Sequence, residues 1–148
     1  MTTTTRLVGP GDRDEWLSLF TGYLTFYQDT MSPELAQLAF DRLIDPSVDL
    51  HGAIAWVDDH DAVGLVHWAT QLSTRTEPRH CHLDGLFVHP DARGSGAGSA
   101  LVSHVRSWAQ EQGVAKVLWL ANVENKSARA VYDRFAEPTM YAQYEIRL

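Results

Sequence analysis

The run from His80 to Gly98, HCHLDGLFVHPDARGSGAG, constrains this chain more than any other stretch. Its first half reads as a strand. His80, His82 and Asp84 alternate with Cys81, Leu83 and Gly85, and Leu86-Phe87-Val88 closes the run. Pro90 and Asp91 then turn the chain. A glycine-rich loop, Arg93-Gly94-Ser95-Gly96-Ala97-Gly98, leads straight into a helical pattern. Strand, bare turn and helix N-terminus together make an anion site. Unpaired N–H groups point outward there, the helix dipole adds about half a positive charge, and glycines let a phosphate reach the backbone. Two familiar phosphate loops are excluded. Gly98-Ser99-Ala100 lacks the lysine of a P-loop, and glycines at 94, 96 and 98 do not fit the dinucleotide spacing.

The rest of the chain supplies a sheet and helices around that run. Thr5 to Val8 reads as a short strand, ended by Gly9-Pro10-Gly11, with Asp12 or Asp14 able to cap a helix. Trp16, Leu19, Phe20, Tyr23, Leu24 and Tyr27 recur at helical spacing through 13–28. Ser32-Pro33 starts a second helix and Asp45-Pro46 stops it. The loop joining the two helices is placed to border a substrate site. The aromatic group Tyr23, Phe26, Tyr27 reads either as core or as pocket wall.

Strands are expected at 52–57 and 62–72, joined by a polar turn at Asp58-Asp59-His60-Asp61, and again at 80–88. A helix at 96–112 ends on Gly113, and a strand at 116–121 follows. Strand, loop, helix and strand form a βαβ unit with parallel strands and a right-handed crossover. Asn125 precedes a last helix carrying Ala128, Val131, Tyr132 and Phe135, which Pro138 ends, and 140–147 alternates as a final strand. The order β-α-α-β-β-β-α-β-α-β is a mixed α/β sheet, and the length suits a single domain over 1–148.

Charge and cysteine usage narrow the partners. The net charge of −7 argues against nucleic acid as a partner. Residues 1–79 carry 12 acids and 5 bases, residues 80–148 carry 7 of each, so the whole imbalance lies outside the phosphate-binding half. That acidity serves solubility or faces a cationic acceptor such as an amine. No apolar run approaches the ~18 residues of a membrane span, so no membrane partner is expected. The start lacks an apolar signal core, which points to a cytoplasmic protein. Cys81, the one cysteine, fits a reducing compartment and reads as a packed small hydrophobe.

Arg93, Gly96 and Gly98 in the spacing Arg-x-x-Gly-x-Gly, preceded by Leu-Phe-Val-x-Pro, resemble the pyrophosphate loop of the GNAT superfamily of acetyl-CoA-dependent N-acetyltransferases. The element order also resembles the GNAT fold. A narrower likeness is to the yeast histone, polyamine and D-amino-acid acetyltransferases of the Hpa type and their bacterial relatives. It rests on Tyr23, Phe26 and Tyr27, on Arg42-Leu43-x-Asp45-Pro46, on Asn125, Ala128, Arg129, Tyr132 and Asp133, and on Gln143-Tyr144. Two departures stand on the acceptor side. Asp84-Gly85 replaces an expected Gln-Asp pair, and Met140-Tyr141 replaces Gly-Phe.

The resemblance implies acetyl-CoA as cofactor and CoA as product. It places the pantetheine arm against Leu86, Phe87 and Val88 in a gap between splayed strands. It places the pyrophosphate on the amides of Arg93, Gly94, Ser95, Gly96, Ala97, Gly98 and Ser99. Asn125 caps the last helix and also reaches CoA, and Lys126 and Arg129 are lesser phosphate candidates. The family often dimerises through late strands, so a homodimer is implied.

The implied chemistry is direct attack of a primary amine on a thioester in a ternary complex. The acceptor class spans small amines and polyamines, amino acids, and protein lysines or N-termini. The Val88 N–H is placed to face the developing oxyanion. From periodicity Tyr132 is a core tyrosine; the resemblance makes it the acid that protonates the leaving thiolate. His80, His82 and Asp84 share one strand face, so Asp84 or His82 is the candidate base, with His80 behind them. His80 and His82 find no third ligand at convincing spacing, so no metal is expected. Two other classes remain open: a weak or inactive acyl-CoA sensor, and an interaction domain that binds no nucleotide.

Overall fold

The computed structural model describes residues 2–148. Strand β1 spans Thr3–Leu7, followed by helices α1, Arg13–Phe26, and α2, Pro33–Ile44. Strands β2, His51–Val57, β3, Asp61–Gln71, and β4, His80–Val88, come next. Helix α3, Ala97–Gln112, strand β5, Lys116–Trp119, and helix α4, Lys126–Tyr132, complete the elements. The five strands form one sheet in the order β1-β2-β3-β4-β5. The first three pairings are antiparallel and β4–β5 is parallel.

Local chemistry explains most of the boundaries. Ser32 Oγ accepts from the Leu35 N–H at 3.1 Å, which caps α2 behind its Pro33. Gly113 ends α3 in the left-handed region, at φ 71°. The β2–β3 turn puts Asp58 and Asp59 at φ 51° and 65°, the signature of a tight hairpin whose twist matches its strands. Asp12 does stand at the start of α1, but its carboxylate turns back to accept from the Gly9 N–H at 2.8 Å and to pair with Arg6.

Two apolar clusters sandwich the sheet. On one face α3 packs Leu101, Val105 and Ala109 onto Ala53, Val66, Trp68, Cys81 and Leu83. On the other, α1 and α2 bring Trp16, Leu19, Phe20 and Phe40 onto Ile54, Leu65 and Phe87. Cys81 is fully buried, and burial first, then Asp49, pushes its thiol up to about 11. It is a core residue, as its place in the strand predicts.

The final strand expected at 140–147 does not form, and residues 133–148 contain no helix or strand. Helix α4 also stops at Tyr132, before Pro138, and β5 stops at Trp119 instead of 121. A strand is stable only beside another strand, and here the tail lies free. Met140, Tyr144 and Ile146 are 95%, 94% and 86% exposed.

Candidate functional site

The parallel pair β4–β5 holds together only from His80–Lys116 to Leu83–Trp119. Beyond that point the strands part. The break coincides with a β-bulge. His67 of β3 pairs with Gly85 and Trp68 pairs with Leu83, so Asp84 is the extra residue. From Asp84 to Val88, β4 has no strand partner on the β5 side among the described residues. The His89 N–H donates to the Val63 carbonyl at 2.8 Å, which fixes the phase of the antiparallel ladder. Residues 87 and 89 therefore bond to β3, and the amides of Leu86 and Val88 face the gap. The gap is an open cleft of about 1060 Å³.

The glycine-rich loop closes one end of that cleft. Gly94 and Gly96 adopt φ 83° and 86°, a region that a side chain makes strained, and nothing lies within 4 Å of a Cβ at either place. The loop's amides divide into two sets. Arg93 donates to the Pro90 carbonyl, Ser95 to the Ala92 carbonyl at 3.1 Å, and Ala97 to Ser95 Oγ at 3.4 Å. The amides of Gly94, Gly96, Gly98 and Ser99 have no acceptor among the described residues. So only part of the expected run from 93 to 99 is free to bind. Four bare donors at the N-terminus of a 16-residue helix suit a diphosphate.

Leu86, Phe87, Val88, Arg93, Gly94, Gly96, Ala97, Gly98, Ser99, Asn125 and Tyr132 all border the cleft. Ser95 does not. Its carbonyl accepts from Thr3 Oγ1 at 3.4 Å, which turns it towards β1. Asn125 caps α4, its Oδ1 accepting from the Ala128 N–H at 3.2 Å, and still borders the cleft. Lys126 borders it too, whereas Arg129 is spent on the Val123 carbonyl at 3.0 Å. The guanidinium of Arg93 stands 5.6 Å from the centre of the Phe26 ring.

Tyr132 meets the cleft from α4 and packs edge-on against Trp119, with ring centres 5.5 Å apart. Burial, with smaller contributions from Tyr27 and Tyr23, pushes its phenol up to about 12. The phenol is thus fully protonated at neutral pH. His82 and Asp84 do not border the cleft. They lie on β4 before and within the bulge, with His82 half-buried and Asp84 exposed. His80 shares a hydrogen bond with Thr76 at 3.1 Å, at the far end of the strand. Among the described residues no three His, Cys, Asp or Glu side chains gather as a metal site. Among the same residues no helix is long and apolar enough to cross a membrane.

Sequence reasoning left Phe26 and Tyr27 open between core and wall and missed Gln28. Phe26 and Tyr27 are 49% exposed at the end of α1 and border the cleft with Gln28, so this end of the aromatic group is wall rather than core. Gln28 has φ 55°, a turn conformation that no composition rule predicts. Arg134 was also missed. Its Nη1 donates to Ser99 Oγ at 3.2 Å and ties the segment after α4 to the loop.

Known proteins match this arrangement. Residues 14–136 match the acetyltransferase (GNAT) family. The chain is 32% identical over 141 residues to the D-amino-acid N-acetyltransferase HPA3 of Saccharomyces cerevisiae, covering 95% of this chain and 88% of that protein. It is 27% identical over 135 residues to an aminoglycoside N(6')-acetyltransferase type 1 of Stenotrophomonas maltophilia, covering 87% and 82%. In fold it is similar to a ribosomal-protein-alanine N-acetyltransferase of Brucella melitensis biovar Abortus 2308, with TM-score 0.83 and 23% identity over 99% and 100% of the two chains. It is likewise similar to AAC(6')-Iy, solved with a CoA-based bisubstrate analog, with TM-score 0.82 and 18% identity over the full length of both.

Proposed function

Because the chain belongs to the acetyltransferase (GNAT) family and is an acetyl-CoA-dependent N-acetyltransferase, we propose that it acetylates a primary aliphatic amine within the β4–β5 cleft. Residues 1–148 act as one catalytic domain in this reading. The observation that carries it is the set of four bare amides at Gly94, Gly96, Gly98 and Ser99, at one end of a cleft walled by a half-free strand.

Acetyl-CoA supplies the acetyl group as a thioester: the amine's nitrogen forms the new N–C bond, the C–S bond breaks, and an amide and a thiol result. The chain's own residues have four tasks. The bare loop amides and Arg93 hold the diphosphate. The backbone of Leu86 and Val88 pairs with the pantetheine arm as an added strand would. The Val88 N–H also faces the oxygen on which charge develops. Tyr132, kept protonated, gives its proton to the sulfur and regains one from the amine by way of the base. For the base, Asp84 stands in the bulge two residues before Leu86, the first residue of β4 to border the cleft, and His82 lies one strand repeat further away. That placement favours Asp84.

The acceptor belongs to the cationic amines. The seven surplus negative charges all lie in residues 1–79, the half of the chain that brings Phe26, Tyr27 and Gln28 at the end of α1 to the cleft. The free edge of β5 and the alternating tail support a homodimer as the working form.

A thermal-shift titration with acetyl-CoA and CoA, joined to thiol release across a panel of amines, tests the reading. Stabilisation by both nucleotides and turnover with at least one amine are expected. Stabilisation without turnover would leave an acyl-CoA sensor. No stabilisation would remove the cofactor site.

A further inference from the structure

Arg134 lies just past the end of α4, and its side chain reaches the first turn of α3. A Cβ at Gly98 would lie 3.7 Å from both Cγ atoms of Val131, so the end of α4 packs on the start of α3. The Arg134 N–H donates to the Val131 carbonyl at 3.2 Å, which fixes where its side chain departs. From there Nη1 reaches Ser99 Oγ at 3.2 Å. Ser99 is the last of the four residues with bare amides, and Arg93 immediately precedes the first, Gly94. Arg93 and Arg134 therefore bracket the amide run, and both border the cleft. Arg134 is also unspent. A guanidinium has five N–H donors. Arg129, earlier on α4, gives Nη1 to the Val123 carbonyl. Arg134 has no carboxylate within 4 Å among the described residues, and its side-chain partner is a neutral hydroxyl. A cation beside the N-terminus of a helix is disfavoured by the dipole unless the two share an anion.

Resting on the acetyltransferase reading, we infer that Arg134 is the second cation of the diphosphate site and a specificity-determining residue for the acetyl carrier. Its guanidinium, oriented by Ser99 Oγ, donates to the phosphate that the amides of Gly98 and Ser99 hold. Arg93 meets the diphosphate from the other end of the amide run. A thioester that carries a diphosphate gains from Arg134, and one that ends at pantetheine does not. The phosphate role that the sequence offers to Arg129 passes to Arg134, whose remaining N–H groups are free to donate.

The test measures binding of CoA and dephospho-CoA by calorimetry to wild type, Arg134→Gln, Arg134→Lys and Arg106→Gln. The two ligands share the diphosphate and differ only in the 3'-phosphate. Arg134→Gln should weaken both alike, by ~10-fold, from loss of a charge-assisted hydrogen bond. Arg134→Lys keeps the charge without the fork and should recover part of the loss. Arg106→Gln removes the same charge from an exposed position on α3 that does not border the cleft, and should bind as wild type. Adding Ser99→Ala to Arg134→Gln should cost nothing more on either ligand, because that hydroxyl acts through the guanidinium. Turnover gives a second readout: Arg134→Gln should raise the KM for acetyl-CoA ~10-fold and leave that for S-acetylpantetheine within about twofold. A loss confined to CoA would assign Arg134 to the 3'-phosphate and overturn the inference. So would an equal loss in Arg106→Gln, or equal rises in the two KM values. Failure of CoA to bind the wild type sinks the acetyltransferase reading, whereas wild-type affinity in Arg134→Gln sinks the role of Arg134 alone.

Discussion

Trp16 donates its indole N–H to Nε2 of His67 at 2.9 Å, inside the cluster that seats α1 on the sheet. His67 lies on β3 opposite Gly85, so this buried pair underlies the bulge itself. Burial holds the imidazole neutral and lowers its pKa to about 4. The sign of the pH effect follows. Between the unfolded value of 6.5 and the folded value of about 4, the unfolded chain binds the extra proton and the folded one does not. Stability is full above pH ~6.5 and falls as pH drops towards 4, by on the order of 3 kcal/mol from this group. Urea melts at pH 7, 5.5 and 4.5 should show the loss in wild type. His67→Phe should flatten that stretch while losing about 1–3 kcal/mol at pH 7, because the Trp16 N–H is left unpaired. An equally steep acid loss in His67→Phe would assign the effect elsewhere.

Two glycines separate backbone strain from ligand binding. Gly96 and Gly113 both have positive φ, at 86° and 71°, and at neither would a Cβ have an atom within 4 Å. Alanine at either place should destabilise the fold by about 1–2 kcal/mol for the same conformational reason. Only Gly96→Ala also puts a methyl beside the bare amides. It should weaken acetyl-CoA by at least ~10-fold by calorimetry, from loss of a charge-assisted hydrogen bond, while Gly113→Ala binds as wild type. Parallel losses of affinity in both would mean the loop is not the phosphate site.

Tyr132→Phe removes a hydroxyl and nothing else from the contact with Trp119. If the phenol is the acid, kcat should drop by roughly 10²–10⁴-fold. The acetyl-CoA-induced thermal shift should stay within a degree or so of wild type. Unchanged kcat with weakened acetyl-CoA binding would reduce Tyr132 to a wall of the cleft.

The helices and strands that pack were legible in the sequence because packing enforces period. Strand β4 falls on His80–Val88 as the alternation predicts, and α2 starts on the Ser32 cap. The cleft was less legible. Its opening coincides with Asp84 being skipped by the β3 ladder, and pairing register is not written in one strand alone. Tyr27 shares the helical spacing of the core residues Trp16 and Phe20, so hydrophobicity could not show that α1 outruns the sheet there. The division of the loop amides was hidden for a similar reason. It is set by turn bonds to Pro90 and Ala92, not by residue type.

The tail gives the last prediction. Met140, Ala142, Tyr144, Ile146 and Leu148 alternate with Tyr141, Gln143, Glu145 and Arg147, a two-sided strand pattern with one apolar face. Among the described residues strand β5 is paired only to β4, so one full row of its backbone groups is free. An exposed edge and an exposed amphipathic segment on one chain satisfy each other when two copies meet, each tail lying along the other's β5. Light scattering after gel filtration should therefore give twice the 16.6 kDa chain mass. A chain ending at Glu137 should run as a monomer, and Ile146→Lys should move the equilibrium the same way by breaking the apolar face. A monomeric wild type at tens of micromolar, or a dimer that survives the truncation, would place the interface elsewhere.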